Sequence, residues 1–273
     1  MPELPEVETT RRGLIGAVVG ATVTGVTVRE RRLRWPVPAK LAHTLTGHAV
    51  RALQRRGKYL IWHFDHGFLL SHLGMSGSLT AYSAAALPAP VRHDHIDLMF
   101  DRDSVVRYHD PRRFGAMLWV AGPHLDHPLL DSLGPEPLSD AFSGAHLFLA
   151  SRGKTVAVKN FVMDAKVVVG VGNIYASESL FHAGIDPRKS AGRVSAPRYE
   201  ALANAIRATL KKAICAGGSS LRNYVSADGS PGYFQLATLC YDREGLPCRV
   251  CKSPIRAIRQ GQRSTFFCTR CQK

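Results

Sequence analysis

The chain has 273 residues, 45% hydrophobic and 21% charged. That composition excludes a disordered or low-complexity protein and suits two globular domains with a small appendage. The formal charge of +15 favours a polyanionic partner. No apolar run is long enough to span a bilayer, no strongly basic amphipathic helix is present to lie on one, and the acidic, Pro-broken start MPELPEVE is no signal peptide. A cytoplasmic protein is expected.

Pro2 and Glu3 open the chain. Removal of Met1 would leave a secondary amine at Pro2. An α-amino group has a pKa near 7.7–8.0, so a useful fraction is neutral at physiological pH, whereas a lysine near 10.4 needs a large perturbation to match it. Such an amine can attack a sugar C1′ to give an iminium, and Glu3 can move the proton. The same Pro-Glu start can equally be a plain tail or a helix cap. Thr10–Gly20 reads as a first helix. From Ala21 to Ala121 the texture is β: ATVTGVTVRE, KYLIWHFD, GFLLSHLG, HIDLMFD, SVVRYH and GAMLWVA, separated by turns at Asp65–Gly67, Asp101–Ser104 and Asp110–Pro111. This spacing predicts a sandwich or barrel. Ala84–Pro90 reads as a mobile loop. Pro123–Pro137 reads as a linker, with Pro128, Pro135 and Pro137.

Helices dominate beyond it. Asn173 is the expected N-cap of Ile174–His182, with Gly184 as the stop. Pro197 opens a helix over Arg198–Ala216 whose Tyr199, Leu202, Ile206, Leu210 and Ile214 share a face. Gly217–Tyr233 reads as loop or short helix. Cys248, Cys251, Cys268 and Cys271 form C-x2-C-x16-C-x2-C. Two such loops joined by a β-hairpin supply four thiolates to one structural Zn²⁺, with no open position for catalysis. Around them lie Arg249, Lys252, Arg256, Arg259, Arg263, Arg270 and Lys273, a set suited to a phosphate backbone or to a plain solvated face.

The segments PELPEVET, RRGKYL, SHLGMSGSL, HDHIDL, DPRRFGAMLW, LGPEPL, VVVGVGNIYASESLF, GYF and CRVC…TFFCTRC resemble, in order and from end to end, the bacterial formamidopyrimidine-DNA glycosylase family. The resemblance implies an α+β multidomain protein: an N-terminal catalytic β-sandwich (1–122), a linker (123–138), a helix–two-turn–helix domain (139–235) and a four-cysteine zinc finger (236–273). It implies a monomeric, nucleoid-associated glycosylase and abasic-site lyase acting on double-stranded DNA with oxidised purines or abasic sites. Carried over by position, Pro2 is the nucleophile and Glu3 the proton donor and acceptor. Lys58 serves β-elimination, and Arg263 serves δ-elimination and phosphate binding. Met75, Arg112 and Phe114 fill the gap left by an everted nucleotide. His72, His93, Lys154, Asn173 and Tyr175 contact DNA. On their residue types alone, Met75 and Phe114 suit a core, Lys58 a solvated strand, and the two histidines a plain surface. The chain departs from the family pattern at Asn160–Phe161, Ala165 and Cys240–Tyr241–Asp242, where Val-Tyr-Gly is usual, which touches local turn geometry. Two other readings are an endonuclease VIII-like enzyme for oxidised pyrimidines, whose start PEGPE differs at Leu4, and a catalytically silent DNA-binding protein.

Overall fold

The computed structural model describes residues 2–218 and 238–273. The reading of Gly217–Tyr233 and the GYF segment therefore fall almost wholly outside the described residues. Two units are present: residues 1–131 with 216–233, and residues 132–215 with 234–273.

In the first unit, helix α1 spans Leu4–Val18, starting earlier than the expected Thr10. Glu3 is its N-cap in extended conformation, and the Glu6 carboxylate accepts the Glu3 N–H at 2.8 Å, half of a capping box. Pro5 is harmless in the first turn because an N–H there has no helical acceptor. Eight strands follow: β1 (Val23–Val28), β2 (Ala52–Arg56), β3 (Tyr59–Phe64), β4 (Gly67–His72), β5 (Ser78–Ser83), β6 (Asp94–Phe100), β7 (Ser104–His109) and β8 (Ala116–Ala121). They form two antiparallel four-stranded sheets, ordered β1-β6-β7-β5 and β2-β3-β4-β8. Ile96, Leu98, Val106, Tyr108 and Leu79 of one sheet share a single core with Leu60, Trp62, Leu69 and Met117 of the other and with Val7, Leu14 and Val18 of α1. Each such large side chain contributes roughly 1.5–3 kcal/mol on burial. A short helix, α2 (Leu41–Leu45), interrupts the β region and buries Leu41 and Leu45. Its single turn is too short to show a helical period. The segment read as a loop from Ala84 holds a 3₁₀ turn, Ala84–Ala86, capped by Ser83 Oγ, and the Pro88 carbonyl accepts from Arg107. Within the segment read as a linker lies α3 (Pro128–Asp131).

The second unit holds α4 (Gly144–Ser151), α5 (Val158–Met163), α6 (Asn173–His182), α7 (Ala196–Cys215) and the hairpin β9 (Arg256–Gln260)–β10 (Arg263–Phe267). Helix α7 buries Tyr199, Leu202, Ile206, Leu210 and Ile214, the expected face, and packs on α4 and α6. The chain re-enters beside α6 at residues 239–241, whose three N–H groups all donate to the Glu178 carboxylate at 2.8–3.0 Å. Cys240 is fully buried there, as a valine would be. Asp242 takes φ 58°, a left-handed conformation that glycine adopts freely and Asp tolerates better than most residues.

Candidate active site and zinc centre

The head of α1 fixes the first two described residues. Pro2 and Glu3 are both buried, Glu3 to 2% exposure. Two turns on, Glu8 gathers Arg11, Arg12 and Arg55 at 2.8–3.3 Å. Burial pushes the Glu8 carboxyl up, but hydrogen bonds from Arg11 and Arg12 outweigh it and hold the pKa at about 2. That network ties α1 to β2, so the Pro2–Glu3 segment is anchored at both the cap and the body of the helix.

Lys58 sits half-buried in the tight turn between β2 and β3, after Gly57 at φ 57°. The next residue, Tyr59, pairs across β3–β4 with His72, and their rings lie 4.8 Å apart. His72 Nδ1 accepts the Gly74 N–H at 3.0 Å, which leaves Nε2 to carry the proton as a fixed donor. Burial, then the nearby Lys58 and Arg34 cations, lower the His72 pKa to about 4. Lys58, Arg34 and a neutral histidine donor are thus gathered at one end of the β2-β3-β4 sheet.

The proposed gap-filling residues lie on two adjoining loops of this unit. Met75 is half-buried, Arg112 is exposed, and Phe114 is 43% exposed with the Arg112 guanidinium 4.8 Å above its ring. None of the three is a core residue. Arg32, Arg34, Arg112, Arg113 and Phe114 line a basic concavity, and His93, at φ 77°, lines a second of mixed charge with Arg29, Glu30, Arg92, Asp94 and Arg113. Beneath the two loops is Asp110, fully buried, which sequence reasoning missed. Its Oδ1 accepts from Ser76 Oγ (2.9 Å) and the Arg112 N–H (3.3 Å); its Oδ2 accepts from the Gly115 N–H (2.9 Å) and the Tyr108 hydroxyl (3.1 Å).

In the second unit, Lys154 is exposed and Asn173 half-buried. Asn173 is the first residue of α6, and the cap is Gly172. The Asn173 side chain does not cap because its Oδ1 accepts from Lys159 Nζ at 2.6 Å. Tyr175 is fully buried and lies in the first turn of α6, at the positive end of the helix. Lys159, also missed, is buried to 0% exposure; besides Asn173 it donates to the Ser264 carbonyl (2.8 Å) and Thr265 Oγ1 (2.7 Å). It therefore joins the start of α6 to β10 directly beside Arg263. Arg263 is exposed and follows a two-residue turn, Gly261–Gln262, with φ of 51° and 62°, the geometry that suits the right-handed twist of a hairpin. A Cβ on Gly261 would lie 3.1 Å from the Asn160 amide nitrogen, so one of the departing residues packs under the hairpin tip.

The Sγ atoms of Cys248, Cys251, Cys268 and Cys271 all lie within 4.8 Å of one another. Four ligands at the Zn–S distance of about 2.3 Å on a tetrahedron would sit about 3.8 Å apart, so the cluster fits one structural zinc ion. Its surroundings fit as well. Phe181, Ile255 and Phe266 wall it with apolar atoms, and Gln272 bridges the Cys268 N–H to the Ile185 carbonyl. The seven basic residues around it are all exposed. Among the described residues no helix is long and apolar enough to cross a membrane.

Three family models match the chain: the formamidopyrimidine-DNA glycosylase N-terminal domain over residues 1–117, the formamidopyrimidine-DNA glycosylase H2TH domain over 133–225, and the zinc finger found in FPG and IleRS over 245–273. A formamidopyrimidine-DNA glycosylase of Methylococcus capsulatus is 55% identical over the whole of both chains. Among solved structures, Lactococcus lactis Fpg in complex with an abasic site containing DNA superposes with a TM-score of 0.90 at 35% identity, covering 99% of each chain. MutM in complex with carbocyclic 8-oxo-G containing DNA does so at 0.89 and 34%, covering all of both. Identity at this level along the entire length, on one shared fold, makes this chain a member of the formamidopyrimidine-DNA glycosylase family.

Proposed function

We propose that this protein is a cytoplasmic, nucleoid-associated DNA glycosylase and abasic-site lyase that works as a monomer, with domain limits close to 1–122, 139–235 and 236–273. Its substrate is duplex DNA carrying oxidised purines, 8-oxoguanine and formamidopyrimidines among them. The observation that carries this reading is the head of α1, where Pro2 and Glu3 are buried and held by the Glu6 cap. A loose tail would pay heavily in entropy to present an amine to a sugar; a capped helix start does not.

Once Met1 is removed, the Pro2 nitrogen attacks C1′ of the everted nucleotide and the C1′–N9 bond breaks. The base leaves with its electron pair, the attacking nitrogen gives its proton to the Glu3 carboxylate, and Glu3 returns a proton to the ring oxygen as the C1′–O4′ bond breaks. The resulting iminium acidifies the C2′ proton, whose loss expels the 3′ phosphate with the C3′–O bond pair. Loss of the C4′ proton then expels the 5′ phosphate. Lys58 and Arg263 assist these two eliminations. His72, His93, Lys154, Asn173 and the backbone at Tyr175 hold phosphates, while Met75, Arg112 and Phe114 occupy the space of the everted nucleotide. Zinc holds the hairpin and takes no part in bond breaking.

Excision from matched duplexes tests the proposal. Borohydride should trap the chain on duplex containing 8-oxoguanine, with excision at least tenfold faster than for an oxidised pyrimidine. Preference for the pyrimidine would favour the endonuclease VIII-like reading, and binding without any trapping would favour a silent DNA-binding protein.

A further inference from the structure

We propose that Asp110 is a positioning residue for nucleotide eversion: its buried carboxylate locks the loop bearing Met75 to the loop bearing Arg112 and Phe114, so that the wedge enters the duplex as one rigid body. The proposal rests on the reading of those three side chains as the wedge.

Four donors from three segments converge on this carboxylate, Ser76 from the first loop, Tyr108 from β7, and the Arg112 and Gly115 N–H groups from the second loop. The Arg112 N–H is shared with Ser76 Oγ at 3.3 Å, so the two loops are joined directly as well as through Asp110. Asp110 is itself held at its main chain: its N–H donates to the His93 carbonyl at 3.1 Å, and its carbonyl accepts from His95 Nε2 at 2.8 Å. The Tyr108 hydroxyl stays a donor, because burial and the adjacent carboxylate raise its pKa well above the ordinary phenol range.

Backbone packing makes the joint tight. A Cβ on Gly74 would lie 2.5 Å from the Gly115 nitrogen and the Phe114 carbonyl carbon, and one on Gly115 would lie 2.4 Å from the His72 carbonyl oxygen and overlap the Tyr108 hydroxyl. The loops touch main chain to main chain along one seam, His72 and Gly74 against Phe114 and Gly115. At the loop tips Met75 is half-buried, and Arg112 and Phe114 are exposed together with the neighbouring Pro111 and Arg113. Such an arrangement has its ordering entropy settled on folding, so binding energy goes into unstacking the base.

Asp110 touches no DNA in this scheme, and its effect reads out as a ratio. Asp110→Asn keeps the shape but turns one acceptor into a donor that faces fixed N–H groups whichever way the amide lies. A buried donor that meets another donor is left unsatisfied, so the joint between the loops loosens. Excision of 8-oxoguanine from duplex should therefore fall roughly 30-fold, the rate change that about 2 kcal/mol represents, with cleavage of a pre-formed abasic site changed less than threefold. Fluorescence of 2-aminopurine beside the lesion should show weaker unstacking. Ser76→Ala removes the hydroxyl's two ties, to Asp110 and to the Arg112 N–H, without introducing a donor, and should show the same trend at smaller size. It decides the matter alone if Asp110→Asn does not fold. Equal losses on both substrates, or an unchanged fluorescence signal in a folded variant, would overturn the proposal. Met75→Ala and Phe114→Ala run as companions. If they shift the ratio and the Asp110 and Ser76 variants do not, positioning alone is wrong. If neither pair shifts it, the wedge reading fails and the proposal with it.

Discussion

His72 illustrates how one residue carries a pH dependence. Its ring is held neutral by burial and by Lys58 and Arg34, with a pKa of about 4 against 6.5 for a free histidine. The unfolded chain therefore takes up a proton between about pH 6.5 and 4 that the folded chain refuses. Folding stability contributed at neutral pH is lost as pH falls through that window. The His72→Gln variant should lose less stability than the native chain over that interval, measured as the shift in denaturation midpoint from pH 7 to pH 5. A larger loss in the variant would mean that the folded ring is protonated. Lys159 works through its partners. Lys159→Met removes the donor from Asn173, the Ser264 carbonyl and Thr265, and should cost on the order of 3 kcal/mol of stability. At temperatures where the variant is folded, affinity for abasic-site duplex should also fall, because Asn173 and the strand of Arg263 lose a common anchor. Unchanged affinity would assign Lys159 to folding alone.

Neither Lys159 nor Asp110 was legible in the sequence. Lys159 lies in an ordinary helical segment and Asp110 in a turn signal, and what marks them is complete burial with converging partners, which no local pattern encodes. At the scale of elements the sequence was easier to read. Six of the eight strands sit where the apolar runs and turn signals put them, while β2 and β5 are too polar to stand out as runs, and the cysteine spacing predicted the zinc hairpin. The errors have local causes. The start of α1 was read too late because Pro5 looks like a breaker, although a first-turn proline is tolerated. Asn173 was read as a cap because its type suits one, but Lys159 had claimed its oxygen. For the zinc module, the apolar cluster around the thiolates is small, and such modules unfold without metal. One zinc per chain should be measured, and a strong chelator should release it with loss of duplex binding while helical circular dichroism largely persists. Metal content of zero, or binding that survives complete removal, would contradict a structural role in presenting Arg263.

On the scale of the whole molecule, chemistry and grip are divided. The first unit holds the proposed nucleophile, its proposed proton carrier and the proposed wedge; the second holds the zinc hairpin and the start of α6, proposed to face a phosphate. The net charge of +15 gives general attraction to DNA, and in the proposed mechanism the reaction itself rests on a single backbone nitrogen. The direct test is to block it. A chain bearing one extra residue ahead of Pro2 has an amide in place of the amine, with its other residues unchanged. Borohydride trapping on duplex containing 8-oxoguanine should vanish in this form, while duplex binding remains within a few-fold of the native chain. If the extended chain traps as well as the processed one, the attacking group is a lysine, with Lys58 the first to examine, and the account given for Pro2 is wrong.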